Sequence, residues 1–244
     1  MQTAKPGATK AVRRALDAKT ECAKIIRKLK SMRNPRNVAG MARFGISSNN
    51  TLGVSLYALR DMAKTIGKSH ALAQELWKTG IHEARLLAAL VDEGEKVTPR
   101  QMDSWARDFD SWDVCDVVTT DLFDKTPFGW EKSFEWSKRK EEFVKRAAFS
   151  TMAGLAVHDK AEKDANFEKF LPVIEREAWD DRNFVKKAAN WALRNIGKRN
   201  RALNGKAIAC AGRILEQGTK PARWIASDAL RELEGEKVRA RLKP

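Results

Sequence analysis

The five residues Val185-Lys186-Lys187-Ala188-Ala189 belong to a pattern that recurs along the chain. In each copy an apolar or small residue precedes a cation near a predicted helix start, and an apolar helical face follows. Similar stretches lie at residues 84–88 (ARLLA), 144–148 (VKRAA) and 222–226 (ARWIA). Among the last three copies the cations are 37 to 41 residues apart. A repeat of this length is typical of solenoids built from pairs of helices.

The sequence around these copies also predicts helices. No segment alternates apolar and polar residues with period two, and only 7 Pro and 14 Gly interrupt the 244 residues. Helices are predicted at residues 10–32, 53–66, 70–78, 81–93, 98–108, 111–124, 128–140, 141–158, 164–179, 181–198, 203–217 and 219–234. The predicted fold is all-α, a right-handed solenoid of HEAT-like helical hairpins with a concave basic groove.

The domain organisation follows from the same reading. Residues 1–8 are predicted to be a disordered arm, and residues 9–244 a single helical domain. Residues 36–50, with two glycines and the run Ser47-Ser48-Asn49-Asn50, are predicted to be a long loop. In the first helix an inward-facing set is expected at Val12, Leu16, Ile25, Ile26 and Leu29.

The charge of the chain predicts a polyanionic partner. The formal net charge is +15 and the pI is about 9.9, and phosphates neutralised by Lys or Arg release counterions. Three widely separated cysteines without CxxC spacing indicate a reducing, cytoplasmic location. The sequence shows no apolar run of about 20 residues, so neither a membrane span nor a signal peptide is expected.

An acidic segment interrupts this basic chain. Residues 101–130 carry −5, whereas residues 1–100 carry +11 and residues 131–244 carry +9. The 60 residues between Arg85 and Lys145 are too many for one repeat, and the missing copy falls on residues 112–116 (WDVCD). In that alignment Asp113 takes the place of the repeated cation. Asp113 and Asp116 share one helical face, with Trp112 beside Asp116.

Each of these residues also has a simpler interpretation. Any single repeat cation is compatible with a solvated helix face, although four of them at a repeated position favour a phosphate-binding row. The carboxylates are compatible with complementing a helix N-terminus, which suits Asp113 better than Asp116. Core packing is the expectation for most tryptophans, including Trp77, Trp105 and Trp224. The three histidines are isolated, so no metal or other cofactor is expected.

Three stretches resemble the AlkD-like DNA alkylation repair proteins, a family of HEAT-like solenoids that includes DNA glycosylases for alkylated purines. They are residues 81–85 (IHEAR), 111–116 (SWDVCD) and 184–194 (FVKKAANWALR), within a similarity that extends from residue 38 to 235. The resemblance implies that Asp116 is the catalytic carboxylate and that Trp112 and Trp191 are the groove tryptophans. The family often has two tryptophans before its first aspartate, where this chain has Ser111-Trp112.

The resemblance implies a monomeric enzyme that excises N3- or N7-alkylated purines from duplex DNA without flipping the base. Asp116 would stabilise the oxocarbenium-like sugar and position water, supported by Asp113, while Trp112 and Trp191 lie against the sugar. The cations expected to bind the DNA backbone are Arg85, Lys145, Arg146, Lys186, Lys187, Arg194 and Arg223. Two alternatives remain, a non-catalytic binder of damaged or branched nucleic acid and a scaffold for an acidic protein.

Overall fold

The computed structural model describes the backbone of residues 6–242 and the side chains of residues 16–242. This part of the chain contains helices and turns and no strand, so the all-α prediction is confirmed. None of its helices combines the length and the apolar character that crossing a membrane would require. The chain divides after Val97 into two compact units.

The first unit contains five helices among its described residues. They are α1 (Pro6–Ser31), α2 (Pro35–Ala42), α3 (Leu56–Ile66), α4 (His70–Lys78) and α5 (His82–Val91), followed by a 3-10 turn at Gly94–Lys96. Helix α5 packs on α3 and α4, and α1 packs on α4. Ser55 and Ser69 cap α3 and α4 by accepting hydrogen bonds from backbone N–H groups, and the Ser69 cap was predicted.

Two predictions for the first unit are wrong in part. Helix α1 begins at Pro6, so residues 6–8 are helical, while residues 1–5 of the predicted arm lie outside the described residues. Within α1, Ile25 and Leu29 are buried as expected, but Leu16 is 64% exposed. The side chain of Val12 lies outside the described residues.

The predicted loop at residues 36–50 is helical in its first half. Helix α2 occupies Pro35–Ala42 because Asn34 accepts a hydrogen bond from the N–H of Asn37, and Pro35 stands in the first helical turn, where its missing N–H costs nothing.

Glu83 fixes the segment that precedes α3. Its fully buried carboxylate accepts hydrogen bonds from the backbone N–H groups of Leu52, Gly53 and Val54, at 2.6 to 3.2 Å. Gly53 has a φ of 79°, and a Cβ there would lie 2.3 Å from the carbonyl oxygen of Asn34. Glu83 therefore has a structural role, since a buried carboxylate with three donors is well compensated.

Ten helices make up the described part of the second unit. They are α6 (Pro99–Arg107), α7 (Trp112–Asp121), α8 (Gly129–Trp136), α9 (Glu142–His158), α10 (Asp164–Glu168), α11 (Leu171–Glu177), α12 (Asn183–Gly197), α13 (Arg201–Glu216), α14 (Lys220–Leu233) and α15 (Glu236–Arg239), with a 3-10 turn at Phe123–Lys125. The predicted helix at residues 164–179 is two helices, because Pro172 has no N–H with which to continue α10.

Helices α7, α9, α12 and α14 form one layer in which each helix packs on the next. Helices α8, α11 and α13 cover this layer. Contacts between α12 and α14 join residues 38 positions apart, namely Lys186 with Trp224, Asn190 with Asp228 and Arg194 with Glu232. The two helices are therefore parallel and in register.

Helices α9 and α12 are also parallel. Arg146 donates to the carbonyl oxygen of Phe184 at 2.6 Å near the start of both helices, and Asn195 donates to that of Ala153 at 3.2 Å farther along both. The N-terminal ends of α9, α12 and α14 consequently lie at one edge of the layer, which we call the N-terminal edge.

The helix boundaries correct the alignment of the acidic segment. Arg85, Lys145, Lys186 and Arg223 are each the fourth residue of their helix, α5, α9, α12 and α14. The fourth residue of α7 is Cys115, whereas Asp113 is the second. Cys115 is fully buried, so in this repeat a buried cysteine, and not a carboxylate, occupies the position that the other helices give to a cation.

Candidate functional site

Asp116 lies on the face of α7 that packs against α9. Arg146 donates to it twice, from Nε to Oδ1 at 2.9 Å and from Nη2 to Oδ2 at 2.7 Å. Ser150 donates from Oγ to Oδ1 at 3.1 Å. Arg146 and Ser150 are four residues apart, so they project from the same face of α9. One helix thus supplies all three of these hydrogen bonds.

The remaining contacts of Arg146 hold its guanidinium in place. Nη1 donates to the carbonyl oxygen of Phe184 at the start of α12, and the side chain is only 7% exposed. The guanidinium carbon lies 5.9 Å from the ring centroid of Trp112, within the range of a cation–π interaction. Arg146 therefore links three successive helices of the layer and contacts both Trp112 and Asp116.

The electrostatic state of Asp116 reflects two opposing effects. Burial raises the pKa of the Asp116 carboxyl, and the charge of Arg146 and the hydrogen bonds from Arg146 and Ser150 offset only part of that rise. The side chain remains 18% exposed. An ionised carboxylate has about four acceptor positions, and three are occupied here. The fourth, on Oδ2, is available to water or to a developing positive charge.

Asp113 has the position of a helix N-terminal carboxylate. It is the second residue of α7, and its Oδ1 accepts a hydrogen bond from the N–H of Val114 at 2.9 Å. Its negative charge contributes to raising the pKa of Asp116. These contacts match the dipole-complementing interpretation considered for Asp113.

The two tryptophans of the predicted site have different surroundings. Trp112, the first residue of α7, is half-buried beside Arg146. Trp191 in α12 is partly buried and packs against the hydrophobic core of the second unit. Trp112 and Asp116 both contact Arg146. The position of Trp191, by contrast, is set by its packing against the hydrophobic core.

Lys145, Arg146 and Arg194, which were predicted to bind phosphate, have carboxylate partners. Lys145, 7% exposed, lies 2.7 Å from Glu177 and 3.5 Å from Asp180. Arg194 pairs with Glu232 on α14. Arg146 pairs with Asp116 as described above.

Three further cations of the second unit differ from these. Lys187 and Arg223 are exposed and Lys186 is half-buried, and within the described part of the chain no carboxylate lies within ion-pair distance of any of the three. Arg85, in the first unit, lies over the ring of Trp77 at 5.2 Å. Among the cations predicted to bind phosphate, the three in the second unit without a carboxylate partner therefore lie near the starts of α12 and α14.

Burial of the tryptophans was predicted correctly at two positions and wrongly at one. Trp77 and Trp105 are 5% and 3% exposed, whereas Trp224 is 40% exposed. Helix α14 is the last long helix of its layer, so within the described residues no further parallel helix covers Trp224.

Sequence reasoning missed the partners of Asp116. Arg146 was assigned to phosphate, and Ser150 was not considered. A signal existed, because Asp116 and Arg146 are each the fifth residue of their helix, and neighbouring repeats place equivalent positions side by side.

Comparisons with known proteins agree with this architecture. Residues 25–233 match the model of a family described as DNA alkylation repair enzyme. A similar solved structure comes from a family described as related to the HEAT-like repeat DNA glycosylases, with affinity for branched DNA structures. It is 19% identical, with a TM-score of 0.70, and the match covers 78% of this chain and 82% of that chain. The search of curated proteins found no match. The fold is thus HEAT-like, and the chain belongs to the DNA alkylation repair enzyme family.

Proposed function

We propose that this protein is a DNA glycosylase that hydrolyses the N-glycosidic bond of cationic N3- or N7-alkylated purines in duplex DNA, acting as a monomer in the cytoplasm. The observation that carries the proposal is the Asp116 carboxylate, which is oriented by Arg146 and Ser150 and has one acceptor position that these hydrogen bonds do not use. The guanidinium of Arg146 also lies over the ring of Trp112. Membership of a DNA repair family supports a DNA substrate.

The chemistry of an alkylated purine suits a site with a carboxylate and no neighbouring general acid. The alkylated base already carries a positive charge, so it leaves as a neutral molecule and takes the electron pair of the N-glycosidic bond. The sugar develops positive charge at C1′, which a carboxylate stabilises. The oxygen of water then bonds to C1′ and the water releases a proton. The open position on Oδ2 of Asp116 is suited to hold that water.

Arg146 acts in this proposal as a positioning residue. A buried carboxyl without a partner would be protonated and unable to stabilise a cation, whereas a guanidinium at hydrogen-bond distance favours the ionised form. The two parallel hydrogen bonds also fix the plane of the carboxylate, which a single contact would not do. Trp112 would contribute the electron-rich face of its ring to the developing charge.

The phosphate contacts are proposed for the cations without carboxylate partners. Lys186, Lys187 and Arg223 meet this condition near the starts of α12 and α14. Lys145 and Arg194 would have to break their ion pairs with Glu177 and Glu232 before binding a phosphate. They are therefore weaker candidates for DNA contacts than the sequence alone indicated. Arg85 remains a proposed contact of the first unit.

Single-turnover release of 7-methylguanine from a methylated duplex tests the proposed function. The parent should release the base and leave an abasic site, Asp116→Asn should be strongly impaired, and Asp113→Asn should stay within a few-fold of the parent. The Asp113 variant is a matched control because it removes the same charge from the same helix. Release by folded Asp116→Asn at the parent rate would contradict the mechanism.

The second candidate function is non-catalytic binding of branched DNA. It is favoured by the described affinity of the similar solved structure for branched DNA. In that case the parent would release no 7-methylguanine and would bind a four-way junction more tightly than a duplex. Measuring both quantities on one preparation separates the two functions.

A further inference from the structure

We infer that Trp224 is a stacking platform for an unpaired base, placed so that Lys186, Lys187 and Arg223 hold the adjoining phosphates. This inference rests on the proposed DNA binding and specifies its substrate class, a duplex adjoined by a single-stranded segment. It is independent of catalysis at Asp116.

The position of Trp224 is unusual for its size. It is the fifth residue of α14, and 40% of its surface is exposed although it is one of the largest apolar side chains. The Nζ atom of Lys186 lies 5.7 Å from its ring centroid. Since α12 and α14 are parallel and in register, the ring and the ammonium group both lie at the N-terminal edge.

The exposed charges near the starts of these two helices include cations without carboxylate partners, whereas Asp228, one turn after Trp224, is paired with Arg194 and Arg231. Lys187, Lys220 and Arg223 are exposed near the starts of the same two helices. Across the described residues no ion pair joins these three cations or Lys186 to a carboxylate. Arg223 uses one N–H group on the carbonyl oxygen of Gly218 and has four others to offer a phosphate. An exposed aromatic ring among uncompensated cations is the arrangement that binds single-stranded nucleic acid.

Trp179 provides an internal comparison. It is 58% exposed, and the Nζ atom of Lys145 lies 5.4 Å from its ring centroid. That ammonium group, however, is paired with Glu177 and Asp180. The Trp179 site thus has the same aromatic and cationic groups, but its cations Lys145, Arg176 and Arg182 are paired with the carboxylates of Glu177 and Asp180, so they are less free to bind phosphate. We therefore assign the platform to Trp224 and not to Trp179.

An unpaired base fits this site better than a paired one. Bases inside a duplex already stack on their neighbours, so an exposed ring gains contact with them only at an end or a junction. An unpaired base has a free face, and stacking tolerates any base because each has a π surface. The cations attract the phosphates on either side of that base.

Fluorescence anisotropy tests the inference with two labelled DNAs. One is a blunt duplex, and the other is the same duplex extended by unpaired arms. The parent should bind the forked DNA more tightly. Trp224→Ala should weaken binding to the fork by about tenfold and change binding to the blunt duplex less than twofold. Trp224→Phe should restore most of the fork affinity. Trp179→Ala, the matched control, should bind both DNAs like the parent.

The outcomes separate this inference from the proposed function. The platform would be overturned if Trp224→Ala binds the fork like the parent or loses affinity equally for both DNAs. Neither result would contradict the proposal that the parent protein binds duplex DNA. A parent that binds neither DNA would overturn both. Because only 40% of the surface of Trp224 is exposed and the rest is buried, Trp224→Ala should lower the melting temperature more than Trp224→Phe, and circular dichroism checks that both variants are folded at the assay temperature.

Discussion

Arg146 and Asp116 form a two-point ion pair, with Nε 2.9 Å from Oδ1 and Nη2 2.7 Å from Oδ2, across the interface of α7 and α9. The pair is mostly buried, since the two side chains are 7% and 18% exposed. Removing either partner leaves a charge in a poorly solvated position, so substitutions at the two residues have linked effects on stability, ionisation and the proposed chemistry.

Asp116→Asn should slow excision about a thousandfold. A carboxylate about 4 Å from a developing unit charge contributes on the order of 4 kcal/mol at an effective dielectric near 20, and Arg146 is present in both proteins. Affinity for undamaged duplex should stay equal or become slightly tighter, because the substitution removes a negative charge. Single-turnover rates and duplex titrations, measured together, should therefore move in opposite directions.

The same substitution should destabilise the fold by about 3 kcal/mol, because the guanidinium of Arg146 remains buried without its counter-charge. Urea unfolding of the variant measures this cost. A loss of less than about 1 kcal/mol in the free energy of unfolding would show that the pair is better solvated than its burial indicates. Because destabilisation is expected, excision rates are compared at a temperature where both proteins are folded.

Arg146→Gln should move the acid limb of the excision profile to higher pH. Excision uses ionised Asp116, so the rate falls as the pH is lowered through the pKa of that carboxyl. Burial already raises this pKa, and loss of the adjacent positive charge raises it further. Arg146→Lys, which keeps the charge without the two-point geometry, should shift the limb less. The measurement is the single-turnover rate against pH, and an unmoved limb in Arg146→Gln would exclude Asp116 as the titrating group.

Affinity for duplex DNA should fall steeply as the salt concentration rises, because Lys186, Lys187 and Arg223 are proposed to bind phosphates. The slope of log K against log salt changes by roughly 0.9 for each phosphate that the protein no longer neutralises. Replacing Lys186, Lys187 and Arg223 together by Ala should flatten the slope by about 2 to 3 and weaken binding to all sequences alike. Lys145→Ala serves as the comparison, because its ammonium group is committed to Glu177 and Asp180, and its slope should match the parent's.

Gly154→Ala should destabilise the second unit by about 1 to 3 kcal/mol. A Cβ at this position in α9 would lie 2.7 Å from Oδ2 of Asp124 and 3.2 Å from Cγ2 of Thr120, and Asp124 is buried. Gly212→Ala is the matched control, since it lies inside α13 with nothing within 4 Å of the added Cβ. That change should stabilise the helix by up to about 1 kcal/mol. In urea titrations, the free energy of unfolding should fall in Gly154→Ala and rise in Gly212→Ala.

The sequence alone determined the helical repeat and selected Asp116 as the candidate carboxylate. A period of 3.6 residues, caps such as Ser69 and the recurrence of a cation at the fourth helical residue are local properties, which a linear reading detects. Asp116 was selected by its place in an acidic segment and by family resemblance. These signals depend on neighbours within one helix and not on what packs against it.

Only the tertiary structure decided which groups those residues meet. Asp116 meets Arg146, Lys145 meets Glu177 and Asp180, and Trp224 remains exposed, although the sequence assigned Lys145 and Arg146 to phosphate and Trp224 to the core. The physical reason is that a partner across an interface is set by the register and separation of two helices, which many weak packing contacts determine jointly. A difference of two residues in where a helix starts changes which side chain occupies the repeated position, as Cys115 at the fourth residue of α7 shows.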